Sequence, residues 1–520
     1  MMTLIPLVVL TPLIGAALAL LAGKRPRLQT IVSISSLVVV LVIAAVILAV
    51  VNRDGDYAVT VGGWPAPFGI VLIVDRLSAL LLVVSAAVLL SVLLFSVGQG
   101  LADGDRDAPV SIYYPTYLIL ATGVFNAFVT GDLFNLYVSF EIVLAASYVL
   151  ITLGGTAQRT RAGVTYIVVN LVSSFIFLAA IAMLYGATGT VNIAQLSLRI
   201  VDLPLDVEIL LHVMLLVAFG IKAAVFPLAF WLPDSYPTAP APVTAVFAGL
   251  LTKIGIYAIM RTEMTIFPGP ALNTPIMIAA ALTLVVGILG AIAQSDIKRL
   301  LSFVLISHIG YMLFGIGLGT PIGLAAATFF VVHHIIVQTT LFLATGLVER
   351  RGGTTAINRL GGMVKTSPVI GILFFIPMVN LGGIPPFSGF IGKLALFDAS
   401  VKDGTPLAYG LIAAAALVSL LTLYVLARTW NLVFWRPAGQ VHDEEILPER
   451  PWQDSSGAHT QVQERRQIPR TMLGATGGMV ALSVALSVFA GPLYDISSRA
   501  GVNIARPDFY ISTVLPGAQP

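Results

Sequence analysis

Hydrophobic residues in this chain come in long unbroken runs rather than in alternation. About 20 apolar residues in helical form cross a bilayer core. Fourteen runs of that kind can be read: 3–22, 30–51, 77–98, 112–130, 133–153, 162–185, 208–231, 242–261, 274–294, 300–319, 321–348, 367–397, 406–434 and 471–494. Because the runs are continuous, they predict helices that are apolar all round, not the dyad alternation of a membrane β-barrel. The first run lacks a basic stretch before it and is followed by GKRPR, so it is expected to be a retained anchor rather than a removed signal.

Composition narrows the class further. Of 520 residues, 58% are hydrophobic and 10% charged, with a net charge of +3; an ordinary soluble domain is about 25% charged. This excludes a soluble enzyme, a nucleic-acid binder and a disordered chain. A charge of +3 spread over this length is not a basic patch. There is no Cys, so the chain has no disulfide, thiol catalysis or iron–sulfur ligation of its own. No Walker A sequence occurs, which argues against an ATP-driven pump. The expected fold is an all-α polytopic membrane protein with no cofactor and no metal.

Loop charge predicts the orientation. With the N-terminus outside and the runs alternating, and with Arg261 and Arg428 near run ends counted with the loops they adjoin, the 28 Lys and Arg divide as 18 inside, 7 outside and 3 within runs. The positive-inside rule favours that arrangement, with both termini outside. The loop at 99–111, with Asp103, Asp105 and Asp107, disagrees, but acids weigh little in the rule. The longest polar stretch, 435–470, with His442 and His459, is expected to be a cytoplasmic linker or docking surface.

Four charged side chains lie deep in apolar runs: Glu141 in the fifth, Lys222 in the seventh, Lys253 in the eighth and Lys393 in the twelfth. Each costs about 2.5–3.5 kcal/mol to insert. A structural salt bridge accounts for two of them at most, because three cations face one anion. The remaining lysines are expected to meet water or to be neutral part of the time, as proton carriers are. His308 in the tenth run and His333 and His334 in the eleventh add further titratable groups; His308 reads equally well as a satisfied core residue. His334, Gln338 and Thr345 fall four and seven residues apart, one polar stripe suited to a water chain. Metal binding is the weaker reading, since no carboxylate or third ligand stands at ligand spacing. His212 sits near an outer helix end.

Two runs contain helix breakers. Gly220 and Pro227 bracket Lys222, and Gly382, Gly383, Pro385 and Pro386 precede Lys393. Backbone groups freed inside a membrane must be satisfied by protein or water, so each break predicts a solvated path near the midplane; two ordinary Pro kinks are the alternative. Two broken helices five apart point to an internal repeat with a site in each half. The expected units are 1–111, 112–261 (helices 4–8), 274–434 (helices 9–13), the 435–470 linker and 471–520.

At these residues the chain resembles a known family, the antiporter-like subunits of respiratory complex I, membrane hydrogenases and multi-subunit Mrp (Mnh or Sha) cation/proton antiporters. Within it, the chain is most similar to the D-type Mrp subunit. The resemblance is carried by GGWPAPFGIVLIVDRLSALLL (62–82), FNAFVTGDLFNLYVSFEIVLAASYVLI (125–151), GIKAAVFPLAFWLPDSYPTAPAPVTAVFAGLLTKIGIYAI (220–259) and PPFSGFIGKLALF (385–397), and it covers nearly the whole chain. It implies fourteen helices with two inverted five-helix repeats and broken seventh and twelfth helices. It also implies roles: Glu141 as the fifth-helix acid, Lys222 and Lys253 as the seventh- and eighth-helix bases, His334 as the eleventh-helix histidine and Lys393 as the twelfth-helix terminal group, all along a hydrated axis. Gln338 stands where several relatives carry Lys. An amide does not titrate, so a proton passes there by water or not at all.

The expected function is therefore proton translocation in a hetero-oligomeric Na⁺ (or K⁺ or Li⁺)/H⁺ antiporter of a bacterial plasma membrane, driven by the proton motive force and partnered by subunits of Mrp A, B, C, E, F and G type. Glu141 and Lys222 are expected to form a switching ion pair. The alternatives are a pumping subunit of an NADH- or ferredoxin-linked respiratory complex, and a structural subunit with vestigial charges.

Overall fold

The computed structural model describes residues 3–23, 25–100, 112–437 and 467–516. The acidic loop at 101–111 and most of the expected 435–470 linker, with His442 and His459, lie outside the described residues.

The chain begins with α1 (Leu4–Leu21) and α2 (Pro26–Asp54), then a short antiparallel hairpin, β1 (Tyr57–Thr60) and β2 (Val71–Val74), with Tyr57 opposite Val74. It continues through α3 (Arg76–Gln99), α4 (Tyr113–Val129), α5 (Leu133–Thr152), α6 (Ala157–Thr188), α7 (Ile193–Arg199), α8 (Leu205–Ala223) and α9 (Leu232–Ser235). Next come α10 (Ala241–Ile266), α11 (Asn273–Ile292), α12 (Ile297–Gly317), α13 (Pro321–Gly352) and α14 (Met363–Thr366). The last elements are α15 (Pro368–Gly382), α16 (Ser388–Asp403), α17 (Pro406–Trp435), α18 (Arg470–Val488), α19 (Ala490–Ile504) and α20 (Pro507–Val514). The hairpin qualifies the all-helical expectation. The run at 471–494 divides at Phe489, and the following tail is helical.

Among the described residues, eleven helices are long and apolar enough to cross a membrane: α1, α2, α3, α5, α6, α10, α11, α12, α13, α17 and α18. Of the other expected spans, α4 has 17 residues, α8 carries Asp206, Glu208 and Lys222, and 367–397 is divided between α15 and α16. Burial grades from the centre outwards. α10 and α13 are buried along their whole apolar windows, whereas α1, α2, α17 and α18 bury only 33% of theirs. The outer helices present Leu, Val and Ile outwards, as lipid contact requires; Lys253, His308, His333 and His334 lie on the most buried helices, α10, α12 and α13.

Small residues let the central helices close up. A Cβ at Gly287 of α11 would meet the Ser307 backbone nitrogen of α12 at 2.4 Å, and one at Gly501 of α19 would meet the Pro321 carbonyl of α13 at 2.5 Å. Two turns are tied in the same way. The Asp132 side chain caps α5 while Leu133 N donates to Val191 O and Ile193 N to Gly131 O. The Asp296 side chain caps α12 while Ile297 N donates to Thr355 O and Ile357 N to Ser295 O.

Candidate functional site

The buried charges are held by places where helices stop being regular. α8 ends at Ala223, and Ala224 takes a left-handed conformation (φ 59°) that turns the chain into an irregular stretch before α9. Val225 N closes that end onto Gly220 O, the Trp231 indole donates to Ile221 O at 3.1 Å, and Phe226 N donates to Thr283 Oγ1. The helix is therefore broken as expected, but Gly220 does not break it. Gly220 lies inside α8, and the reversal falls at Ala224, with Pro227 in the irregular stretch. Lys222 sits on the last helical turn.

Lys222 is 6% exposed, its ammonium 5.5 Å from the centre of the Phe140 ring. It donates to Asn170 O at 3.2 Å and Ser174 Oγ at 3.1 Å, and Ser174 in turn donates to Glu141 Oε1. The expected Glu141–Lys222 ion pair runs through the Ser174 hydroxyl in this structure. Among the described residues no direct contact within 4.0 Å joins the two, and the Ser174 hydroxyl stands between them. Asn170, Ser173 and Ser174 share one face of α6, at spacings of three and four, and this stripe was the missed signal.

Lys253, fully buried in α10, donates to Ala248 O at 2.5 Å. Ala248 lies in a π-helical segment, Phe247–Leu251. Such a bulge loosens the regular backbone ladder and is frequent at functional sites, and here it supplies the acceptor for the ammonium. The next helices bring the histidines together. His308 of α12 and His334 of α13 have ring centroids 5.2 Å apart, and neither ring nitrogen of either residue has a partner among the described residues. His333 Nδ1 lies 2.9 Å from Ser388 Oγ, while its Nε2 has no partner. Gln338 donates to Leu301 O at 2.9 Å, leaving Oε1 unpaired; Thr345 bonds only its own helix at Leu341 O. Buried polar atoms of this kind take water.

The second break lies before its lysine. α15 ends at Gly382, Gly383 is left-handed (φ 84°), and Pro385 and Pro386 fill the gap before α16. Lys393 reaches back to donate to Leu381 O at 3.3 Å, Gly382 O at 3.2 Å and Ser419 Oγ at 2.9 Å, 5.2 Å from the Tyr311 ring centre. It thereby satisfies carbonyls that a helix C-terminus leaves unpaired. Asn380 holds the gap: its Oδ1 accepts from Gly389 N and Ser388 Oγ, linking the break to His333. Asn380, Ser388 and Ser419 were not singled out from sequence; ordinary polar residues in apolar runs carry little signal.

Two further buried polar pairs were missed. His212 Nε2 lies 2.5 Å from Glu263 Oε1, both nearly fully buried, with the imidazole stacked on Phe267. Arg261 of α10 binds Asp75, the side chain that caps α3, and Tyr257 and Tyr510 flank the guanidinium. His212 is therefore a buried, paired residue and not merely one at a helix end. These pairs join residues 51 and 186 positions apart, which no local pattern reveals.

The sequence and the fold match known proteins. A profile described as NADH:quinone oxidoreductase/Mrp antiporter, TM, matches residues 130–422. The chain is 38% identical to the D-type subunit of the Na(+)/H(+) antiporter of Alkalihalophilus pseudofirmus, over 99% of this chain and 100% of that one. It is 38% identical to the corresponding Na(+)/H(+) antiporter chain of Bacillus subtilis, over 82% of this chain and 86% of that one. Among solved structures, a chain of the Mrp complex from Dietzia superposes with a TM-score of 0.88 at 31% identity, covering 99% and 100% of the two chains. A chain of an archaeal membrane-bound sulfane sulfur reductase superposes with 0.85 at 26% identity, covering 98% and 99%. The resemblance read from the sequence is borne out, and the chain belongs to the NADH:quinone oxidoreductase/Mrp antiporter transmembrane family.

Proposed function

We propose that this chain is the proton-translocating subunit of a hetero-oligomeric monovalent cation/proton antiporter, driven by the proton motive force and working with other membrane subunits of the Mrp type. The observation that carries the reading is the set of buried and half-buried polar groups Glu141–Ser174–Lys222, Lys253, His308/His334, His333–Ser388 and Lys393, gathered from helices far apart in sequence. The D-type antiporter relatives match at 38% identity over most or all of their length, against 26% for the respiratory sulfur reductase chain. That favours the antiporter over a redox-driven pump. The chain acts as a transporter subunit rather than by making or breaking covalent bonds.

Protons move along the series by exchange between ionisable groups and intervening water. Glu141 and Lys222 are the switch, with Ser174 as its hinge. A hydroxyl both accepts from the ammonium and donates to the carboxylate, so one rotamer change uncouples the two charges. Lys253 is the central acceptor and Lys393 the exchange group of the second half. His334 and His308 lie between them, with Gln338 ordering water beside His334.

The same reading counts fourteen spans. The split pair α15–α16, the 17-residue α4 and the charged α8 add three to the eleven. Two inverted units, 112–261 and 274–434, follow, with 1–111 and 471–520 as flanking segments and 435–470 as a cytoplasmic linker. What supports the repeat is the pair of matched turns. Asp132 with 191–193 and Asp296 with 355–357 use the same cap and the same two backbone bonds, each between the first two helices of its unit. The left-handed residues Ala224 and Gly383 likewise end α8 and α15 at corresponding places. Both termini lie outside, in a bacterial plasma membrane.

The test is cation-dependent proton exchange in vesicles carrying the assembled complex, with Na⁺, K⁺ and Li⁺ in turn. Exchange without any electron donor supports the antiporter; exchange only during electron transfer overturns it.

A further inference from the structure

One half-buried pair lies at the other end of the histidine helices and has no part in the series above. Lys298 at the start of α12 is 5% exposed and binds both carboxylate oxygens of Glu349 near the end of α13, at 2.9 and 2.8 Å. Glu349 is 38% exposed. The two residues line a polar cavity of about 860 Å³ formed by α6, α9, α12 and α13, whose other charged groups are Arg159, Arg161, Asp234, Asp296 and Arg299. Those charges are largely occupied elsewhere. Arg299 pairs with Asp234, Asp296 caps α12 and accepts from Thr355, and Arg159 bonds the Leu153 and Thr238 carbonyls. Arg350 and Arg351 follow Glu349 and bond Gln467 O and Ser367 Oγ. Lys298 and Glu349 pair with each other.

From this pair a polar seam leads inwards. α12 and α13 run antiparallel. Lys298, Ser302, Leu305 and His308 recur at spacings of four and three on α12, and Glu349, Thr345, Gln338 and His334 at four and seven on α13. Helical spacing puts each set on one face. The two faces meet at both ends: Lys298 touches Glu349 and His308 lies against His334, with Gln338 bonded to Leu301 O between them. Ser302 and Thr345 are fully buried, and each hydroxyl donates to its own helix, which leaves its lone pairs free to accept. Gln338 Oε1 and both nitrogens of His334 and His308 are unpartnered among the described residues.

We propose that the Lys298–Glu349 pair is the gate through which protons pass between the 860 Å³ basin and the buried histidines, along the seam between α12 and α13. The inference rests on the proton-translocation reading and adds the place where the buried series meets the inner surface. The burial of the two partners sets the order of events. The ammonium of Lys298 gives its proton to Glu349, and the neutral acid, the more exposed partner, turns to the basin and releases that proton to water. The Lys298 amine takes the next proton from the seam, and the ion pair re-forms. One proton enters from the seam and one leaves to the basin.

The test uses the assembled complex in everted vesicles, whose bath faces the basin. Glu349→Gln should slow cation-driven proton exchange per assembled complex by about 100-fold and flatten its dependence on bath pH. Removing one partner leaves Lys298 uncompensated and can impair assembly, so the double variant Lys298→Gln/Glu349→Gln, which leaves no lone charge, is measured beside it. It should assemble and remain slow. A wild-type rate and pH profile per complex in the double variant would overturn the gate and show that the pair only fastens two helices. No exchange in the wild-type complex would instead defeat the underlying reading of function.

Discussion

At the scale of single residues, Lys222 and Lys393 are held by different means, and their variants should differ. Lys393 fits a cup of two carbonyls and a hydroxyl at a helix end. Lys393→Ala should abolish exchange while the complex still assembles. Lys393→Arg should also fail in large part, because a guanidinium keeps its proton at any accessible pH; full activity in that variant would mean that positive charge alone suffices. Glu141→Gln should assemble normally but lose exchange, and Ser174→Ala should lose about tenfold, the loss of one hydrogen bond to a charged group being worth about 1.5–3 kcal/mol. Normal exchange per assembled complex in both would identify Glu141, Ser174 and Lys222 as a static packing network. Asp56, in the loop between α2 and β1, shows how burial acts at the protein's edge. Its carboxyl is pushed up to about 7 by burial first and the nearby Asp75 carboxylate second, against the pull of Arg261 and Arg76. A carboxyl that holds its proton more tightly when folded than when unfolded loses stability as pH rises from about 4 towards 7. The melting temperature of the complex in detergent should therefore fall over that window, and Asp56→Asn should flatten the fall.

At the scale of elements, the breaks decide where charge can be placed. A helix-interior carbonyl already accepts its own ladder bond, so a buried ammonium there shares an occupied oxygen, as Lys222 does at Asn170 O, and leans on side chains such as Ser174. Both breaks and the π segment of α10 release backbone oxygens, and Lys253 and Lys393 bond to them directly. Gly383 is central to this. Its left-handed φ disfavours any side chain by about 1–2 kcal/mol, and an added Cβ would lie 3.0 Å from Lys393 Nζ. Gly383→Ala should therefore lower both melting temperature and exchange, whereas Gly410→Ala, in α17 with open space around it, should be neutral or slightly stabilising. Equal behaviour of the two would remove the break from the mechanism. On α13, Gln338→Ala should slow exchange modestly and His334→Ala more, since only the imidazole titrates; complete loss in both would mark the stripe as a structural device.

At the scale of the whole molecule, the graded burial and the 18-to-7 distribution of Lys and Arg set one expectation each. The first is that charge-removing variants in α10 and α13 act on exchange without exposing the protein to lipid. The second is topology. Because the chain has no Cys, single cysteines can be introduced one at a time. One in the loop at 52–76 should be labelled from outside intact cells by an impermeant reagent, and one at 436–469 should not. The reverse pattern would invert the orientation and with it the placement of the basin at the inner surface.

Much of this was legible without coordinates, for reasons that trace to particular residues. The class followed from continuous apolar runs, because a bilayer imposes length and apolarity on each crossing separately. Glu141, Lys222, Lys253 and Lys393 stood out because a charge in such a run is costly wherever its partner lies. The breaks at 224–231 and 383–387 were signalled by Pro and Gly, whose effects are local. Pairing was not legible. Ser174 between Glu141 and Lys222, Glu263 beside His212, Asp75 beside Arg261 and Glu349 beside Lys298 depend on how helices distant in sequence lie against one another, and hydrophobic packing sets that without marking it in any one segment. The exact stopping point of α8 also depended on packing: Gly220 was the expected breaker, but the indole of Trp231 and the hydroxyl of Thr283 satisfy the chain end at Ala224 instead. Local cost thus identified which residues are exceptional, and only the tertiary structure decided what each one faces.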